Sequence, residues 1–146
     1  MIAGVESVMI IEAQATPRNK VIEKLRNVTE KSISHVVRVS GASAFGAQQV
    51  VMSGAFRSTV VERGWEDWDI ESQRFPRLSE GHEFIPGVTW PTATFSDLMI
   101  VFLGNRRVDT KQIGRVHTAG YAVIHVPDQN VMFTGYIVEG HSACYC

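Results

Sequence analysis

Nowhere in this 146-residue chain does an apolar run reach the roughly 18 to 20 residues that a bilayer-spanning helix needs, so no membrane span is expected. The opening Met1-Ile2-Ala3-Gly4-Val5-Glu6 lacks the basic start of a secretory signal, and a cytoplasmic location is expected. A charge excess of either sign is also missing. With 14 basic and 15 acidic residues interspersed and a net charge of −1, there is no electrostatic footprint for nucleic acid or for an anionic membrane. The cysteine count is 2, and Cys144 and Cys146 lie one residue apart, too close to staple a useful loop, so reduced thiols are expected. Internal repeats and low-complexity segments are absent as well.

What is present is a hydrophobic content of 45%, enough for one domain over residues 1–146 to build its core without cross-links. Val5 to Ile11 has the length and apolarity of a strand, and Thr16-Pro17 then supplies a cap followed by a first-turn proline. From Pro17 to Val28 the apolar Val21, Ile22, Leu25 and Val28 share one helical face, which predicts a helix lying on a sheet. Ile33 to Val39 reads as a second strand, Ala42 to Gln49 as a short helix, and Val50 to Ser53 as a third strand. The β-α-β-α-β order predicts parallel pairing with right-handed crossovers. Gly54 to Arg63 has helical spacing with Gly64 as its C-cap, and Trp65 to Gly87 lacks any period and is expected to form a long excursion. Thr94 to Leu103, Arg107 to Ile113, Tyr121 to Val126 and Val131 to Val138 follow as strands, joined in part by Gly104-Asn105 and Pro127-Asp128-Gln129-Asn130. The expected class is therefore α/β in its α+β form, with an N-terminal βαβ unit, a mixed sheet and a β-rich second half.

Four stretches carry a resemblance. They are Val8-Met9-Ile10-Ile11-Glu12-Ala13-Gln14-Ala15-Thr16-Pro17, Arg74-Phe75-Pro76-Arg77-Leu78, His117-Thr118-Ala119-Gly120-Tyr121 and Val131-Met132-Phe133-Thr134-Gly135-Tyr136. In this order they resemble the metallo-β-lactamase-fold hydrolases, whose third and fourth motifs read His-Thr-x-Gly-Asp and Phe-x-Gly-Asp. The resemblance implies a partial αββα sandwich, shortened at both ends, in a ligand-depleted member of the superfamily or an engineered derivative of one.

The departures fall on the metal ligands. Zinc hydrolysis in that family needs His and Asp ligands that hold the metal and lower the pKa of a bound water. The family's His-x-His-x-Asp-His loop should follow the second strand. Here the chain runs Ser34-His35-Val36-Val37-Arg38-Val39-Ser40-Gly41-Ala42-Ser43 straight through, as though about seven residues had been removed. An alternative alignment keeps His35 as a surviving ligand with Ile33 in its partner's place; the deletion matches the helix-to-strand connection Val28 to Ile33 without a gap and is preferred. His117 is retained at a ligand position, whereas Tyr121 and Tyr136 stand where the family has aspartates, and a phenol of pKa near 10 bridges zinc poorly. No cofactor is expected, and one histidine makes no zinc site.

Two readings of function follow. The first is a metal-free binding or self-assembling scaffold, in which absent outer strands leave an open sheet edge and apolar face and so favour a homodimer. The second is a hydrolase of esters, thioesters or lactones in which His117 acts as base and Tyr121 or Tyr136 as acid or oxyanion donor, with a small molecule in the former metal pocket. His141, Cys144 and Cys146 bring soft ligands close together but match no closed zinc spacing. Ser40 and Ser43 lack the second glycine of a nucleophile elbow, since Phe45 stands there, and read as helix caps. Trp65, Trp68, Phe75 and Trp90 could line a small-molecule pocket or a partner surface, but read first as packing, then as an oligomer interface.

Overall fold

Alternation along each strand sorts the chain into layers. The computed structural model describes residues 1–11, 18–37, 46–74, 87–116 and 118–138. Strands β1 (Ile2–Ala3), β2 (Ser7–Ile11), β3 (Ser32–Val37), β4 (Gln49–Ser53) and β5 (Ala93–Phe95) form a five-stranded sheet in the order β1-β2-β3-β4-β5. The β1–β2 pair is antiparallel and the other three pairs are parallel, as a βαβ unit requires. Strands β6 (Leu98–Leu103), β7 (Arg106–Gly114), β8 (Tyr121–Val126) and β9 (Val131–Phe133) form a four-stranded antiparallel sheet in chain order. This is the mixed α+β class expected from the sequence.

Odd and even positions of the first sheet face different neighbours. Val8 and Ile10 of β2, with Ile33 and Val36 of β3, pack against Leu25 and Ile22 of α1 (Arg18–Arg26). Val50 and Met52 of β4 pack on the same side against Phe56 and Val60 of α2 (Gly54–Arg74). The intervening Met9, Val37 and Val51 turn the other way and meet Val101, Leu103, Val108, Tyr121, Ile124 and Val126 of the second sheet. Residues from Ile2 to Val126 therefore share one inter-sheet core. The layers are helices, first sheet, second sheet, and among the described residues no helix covers the outer face of the second sheet. No described helix is long and apolar enough to cross a membrane.

Several elements differ from expectation, each for a physical reason. Helix α1 ends at Arg26, where Val28 N–H and Thr29 N–H both donate to Leu25 O and Arg26 Nη1 reaches Lys31 O at 2.7 Å; Val28 is consequently 73% exposed instead of on the sheet. Gly46 to Gln48 form a turn and Gln49 opens β4, while residues 42–45 of the expected short helix lie outside the described residues. Helix α2 does not stop at Gly64 but runs to Arg74, taking in Trp65 to Arg74 of the expected excursion. A Cβ at Gly64 would lie 3.1 Å from Val60 and 3.2 Å from Val88, so this glycine permits close approach of the returning chain and ends nothing. The single strand expected over Thr94 to Leu103 breaks at Ser96-Asp97, because β5 belongs to one sheet and β6 to the other. The strand expected to reach Val138 ends at Phe133, and Gly135–Ile137 form a 3-10 turn with Gly135 at φ +58°.

Between β2 and β3 the register slips: Val8 faces Ile33 but Met9 faces His35, which leaves Ser34 as a bulge. Ser7 Oγ donates to Ser34 Oγ at 3.0 Å, Ser34 Oγ lies 3.3 Å from Val8 O, and His35 Nδ1 lies 3.0 Å from Ser34 Oγ. Burial lowers the His35 pKa below its ordinary 6.5, partly countered by a hydrogen bond with Gln49. The unfolded chain then binds a proton that the folded chain resists, so this contribution is present above pH 6.5 and is lost as pH falls through that value. Urea midpoints measured between pH 7.5 and 5.5 are expected to fall more steeply for the native sequence than for His35→Gln; parallel curves would refute this assignment.

Candidate functional site

Ligands in open parallel sheets sit beyond the carboxyl ends of the strands, and here those ends are Ile11, Val37, Ser53 and Phe95. The connection from β7 to β8 folds over that rim. Ser53, fully buried, is the residue before α2; its Oγ donates to Gly120 O at 2.6 Å and accepts from Phe56 N–H at 3.1 Å. The hydroxyl thus caps the helix while fastening the second sheet to the first. Gly120 has φ +73°, and a Cβ there would stand 2.2 Å from Ser53 Oγ and 2.6 Å from Phe56 N. Only glycine both adopts that backbone and leaves room for the capping hydroxyl.

Of the residues singled out in the sequence, the structure describes Tyr121, the backbone of Tyr136, Trp65, Trp68 and Trp90. Tyr121, next to Gly120, is fully buried in the inter-sheet core among Val37, Val51 and Leu103. Tyr136 has its backbone in the 3-10 turn that follows β9, next to Ile137, which packs against the same core. The Tyr136 side chain lies outside the described residues, as do His117, His141, Cys144, Cys146, Ser40, Ser43 and Phe75. Trp65 and Trp68 meet edge to face at 6.0 Å and 73°, and Trp65 borders Gly87. Trp90 is exposed.

Polar atoms that sequence reasoning passed over also lie in this half of the molecule. Thr110 Oγ1 and Gln112 Oε1, two residues apart along β7, and Thr118 Oγ1 in the connection to β8, are buried without a hydrogen-bond partner. The signal was available: Val108, Thr110 and Gln112 occupy alternate positions of β7, so a strand with Val108 facing inward must turn two polar side chains inward too. Buried hydroxyl and amide oxygens left unpaired each cost roughly 1–3 kcal/mol, a cost that a bound polar molecule or water relieves. Such groups can hold an uncharged polar ligand.

Zinc does not fit the described residues. No group of three or more His, Cys, Asp or Glu side chains converges among them. His125 lies opposite Asp109 and Met132, and His35 sits in the β2–β3 bulge. Protein-family models and curated proteins were both compared with the chain, and neither gave a match.

Proposed function

We propose that this chain is a metallo-β-lactamase-fold relative without the family's zinc site, acting in the cytoplasm as a metal-free binding or self-assembling scaffold. One observation carries the scaffold reading. Leu98, Ile100 and Phe102 of β6 are 46%, 41% and 65% exposed on the outer face of the second sheet, where the described residues supply no covering layer. An apolar row on a sheet edge is an association surface. Two further points support the reading: Tyr121 and Tyr136 replace carboxylates of the resembled motifs, and Tyr121 is buried too deeply to meet a substrate from solution.

The test is metal content and molar mass measured on one purified sample. The expected result is no stoichiometric zinc and a mass greater than one chain. Stoichiometric zinc, together with chelator-sensitive hydrolysis of an ester, thioester or lactone, would overturn the proposal.

A further inference from the structure

Of the four sheet edges among the described residues, three are short: β1 has two residues, β5 three and β9 three. Strand β6 has six, Leu98-Met99-Ile100-Val101-Phe102-Leu103, and among the described residues pairs with β7 on one side only. Short length, lysine, proline and bulges are the devices that keep an edge from recruiting another strand. β6 carries none of them, and its register with β7 is unbroken from Leu98 to Leu103.

The turn that follows fixes which way the backbone of β6 points. Leu103 faces Arg106 across the two-residue loop Gly104-Asn105, with Gly104 at φ +70° and Asn105 absent from the positive-φ residues, the pattern of a type II′ hairpin. Such a loop closes on a pair that exchanges hydrogen bonds, so Leu103, Val101 and Met99 direct their N–H and C=O groups at β7. By alternation, those of Leu98, Ile100 and Phe102 point away from the sheet. The same three residues carry the exposed side chains.

Charge decides the occupant. Arg107, opposite Phe102, gives both Nε and Nη2 to Asp109, at 2.6 and 3.0 Å; Lys111, opposite Leu98, meets Asp97 at 3.1 Å. The flanks of the apolar row are thus neutralised within one copy, which leaves a charged partner little to hold and two copies no repulsion. Resting on the scaffold reading above, we infer that two copies of this chain join antiparallel through β6 about a two-fold axis at Ile100, making one continuous sheet. Ile100 then faces Ile100 of the second copy, and Leu98 faces Phe102, so all groups pointing away from β7 find partners. A pair of strands this short covers less than the roughly 1,200 Å² of tight complexes, so the dimer forms in the micromolar range.

Sedimentation across about 1 to 200 μM is expected to show a reversible monomer–dimer equilibrium. Ile100→Lys sets two ammonium groups opposite each other and weakens association by roughly tenfold or more, with the urea midpoint showing an intact fold. Met132→Lys, on the opposite edge and 56% exposed, leaves association unchanged. With Cys144 and Cys146 changed to Ser, Ile100→Cys cross-links to itself across a Cα separation of about 5.5 Å. Phe102→Cys does not, because its own copy lies four residues along, about 13 Å away. Equal cross-linking at both positions, or a dimer indifferent to Ile100→Lys, rejects this edge and leaves the scaffold reading standing. A native chain that stays monomeric throughout rejects both self-assembly and this edge.

Discussion

Gly120→Ala is expected to lower the unfolding free energy by roughly 3–5 kcal/mol, enough to remove a large part of a domain's stability. Three contributions point the same way. A left-handed backbone at φ +73° costs a non-glycine residue about 1 kcal/mol. The new methyl would stand 2.2 Å from Ser53 Oγ, 2.6 Å from the Phe56 nitrogen and 2.9 Å from Ala55 Cβ, two of them held by the first turn of α2. Relieving that overlap moves the β7–β8 connection away and breaks the Ser53-to-Gly120 bond, so a buried carbonyl loses its partner. Ser53→Ala, which removes the hydroxyl and keeps the glycine, should cost about 2 kcal/mol, and the double variant less than the sum of the two. Gly114 supplies the comparison: its φ is +102° but a Cβ meets nothing within 4 Å, so Gly114→Ala carries backbone strain alone, about 1–2 kcal/mol. Equal urea midpoints for Gly114→Ala and Gly120→Ala would show that the contact with α2 contributes nothing.

Tyr121→Ala should cost a further class of stability, roughly 3–5 kcal/mol, by opening a cavity between the sheets where the ring is wholly enclosed. Tyr121→Phe keeps the volume and loses only the hydroxyl, at about 1 kcal/mol. The contrast bears on function. If this residue supports the core and not a reaction, both effects appear in unfolding curves, in the ratio of cavity to hydrogen bond. A phenol engaged in hydrolysis predicts the opposite signature for Tyr121→Phe, with the fold retained and the reaction lost.

Much of the framework is legible in the sequence, because burial and pattern agree. Val8, Met9 and Ile10 are all buried between a helix and a second sheet, which is why β2 is a continuous apolar run, and Ile22 and Leu25 keep helical spacing because they meet that sheet. The carboxyl half of α2 is illegible for the converse reason. Trp65 and Ile70 are exposed, and the half-helix is supported by Arg63 with Asp67 and Gln73 with Asp69, four residues apart, which leave no apolar period. The sheet change at Ser96-Asp97 leaves no trace either, since apolar alternation looks the same whichever sheet a strand joins. Of the candidate site, Ser53 is legible only as the end of a strand; its capping of α2 and its reach to Gly120, 67 residues on, are not. Tyr121 was readable as a motif departure, but its enclosure depends on a bulge between Gln112 and Gly114 that pairs it with Gly114.

The N-terminal hairpin has a consequence for how the chain is made. Arg106 Nη1 donates to Ala3 O at 2.6 Å across 103 residues, and Gly4 lies so close to Leu103 that a Cβ would fall 2.0 Å from its carbonyl oxygen. During synthesis Ala3 thus waits for a residue made 103 positions later before this contact exists. Until the second sheet is made, Ile2 and Met9 have only half of their core, so that stretch of nascent chain presents sticky surface, and its long-range contacts are of the kind that slow folding.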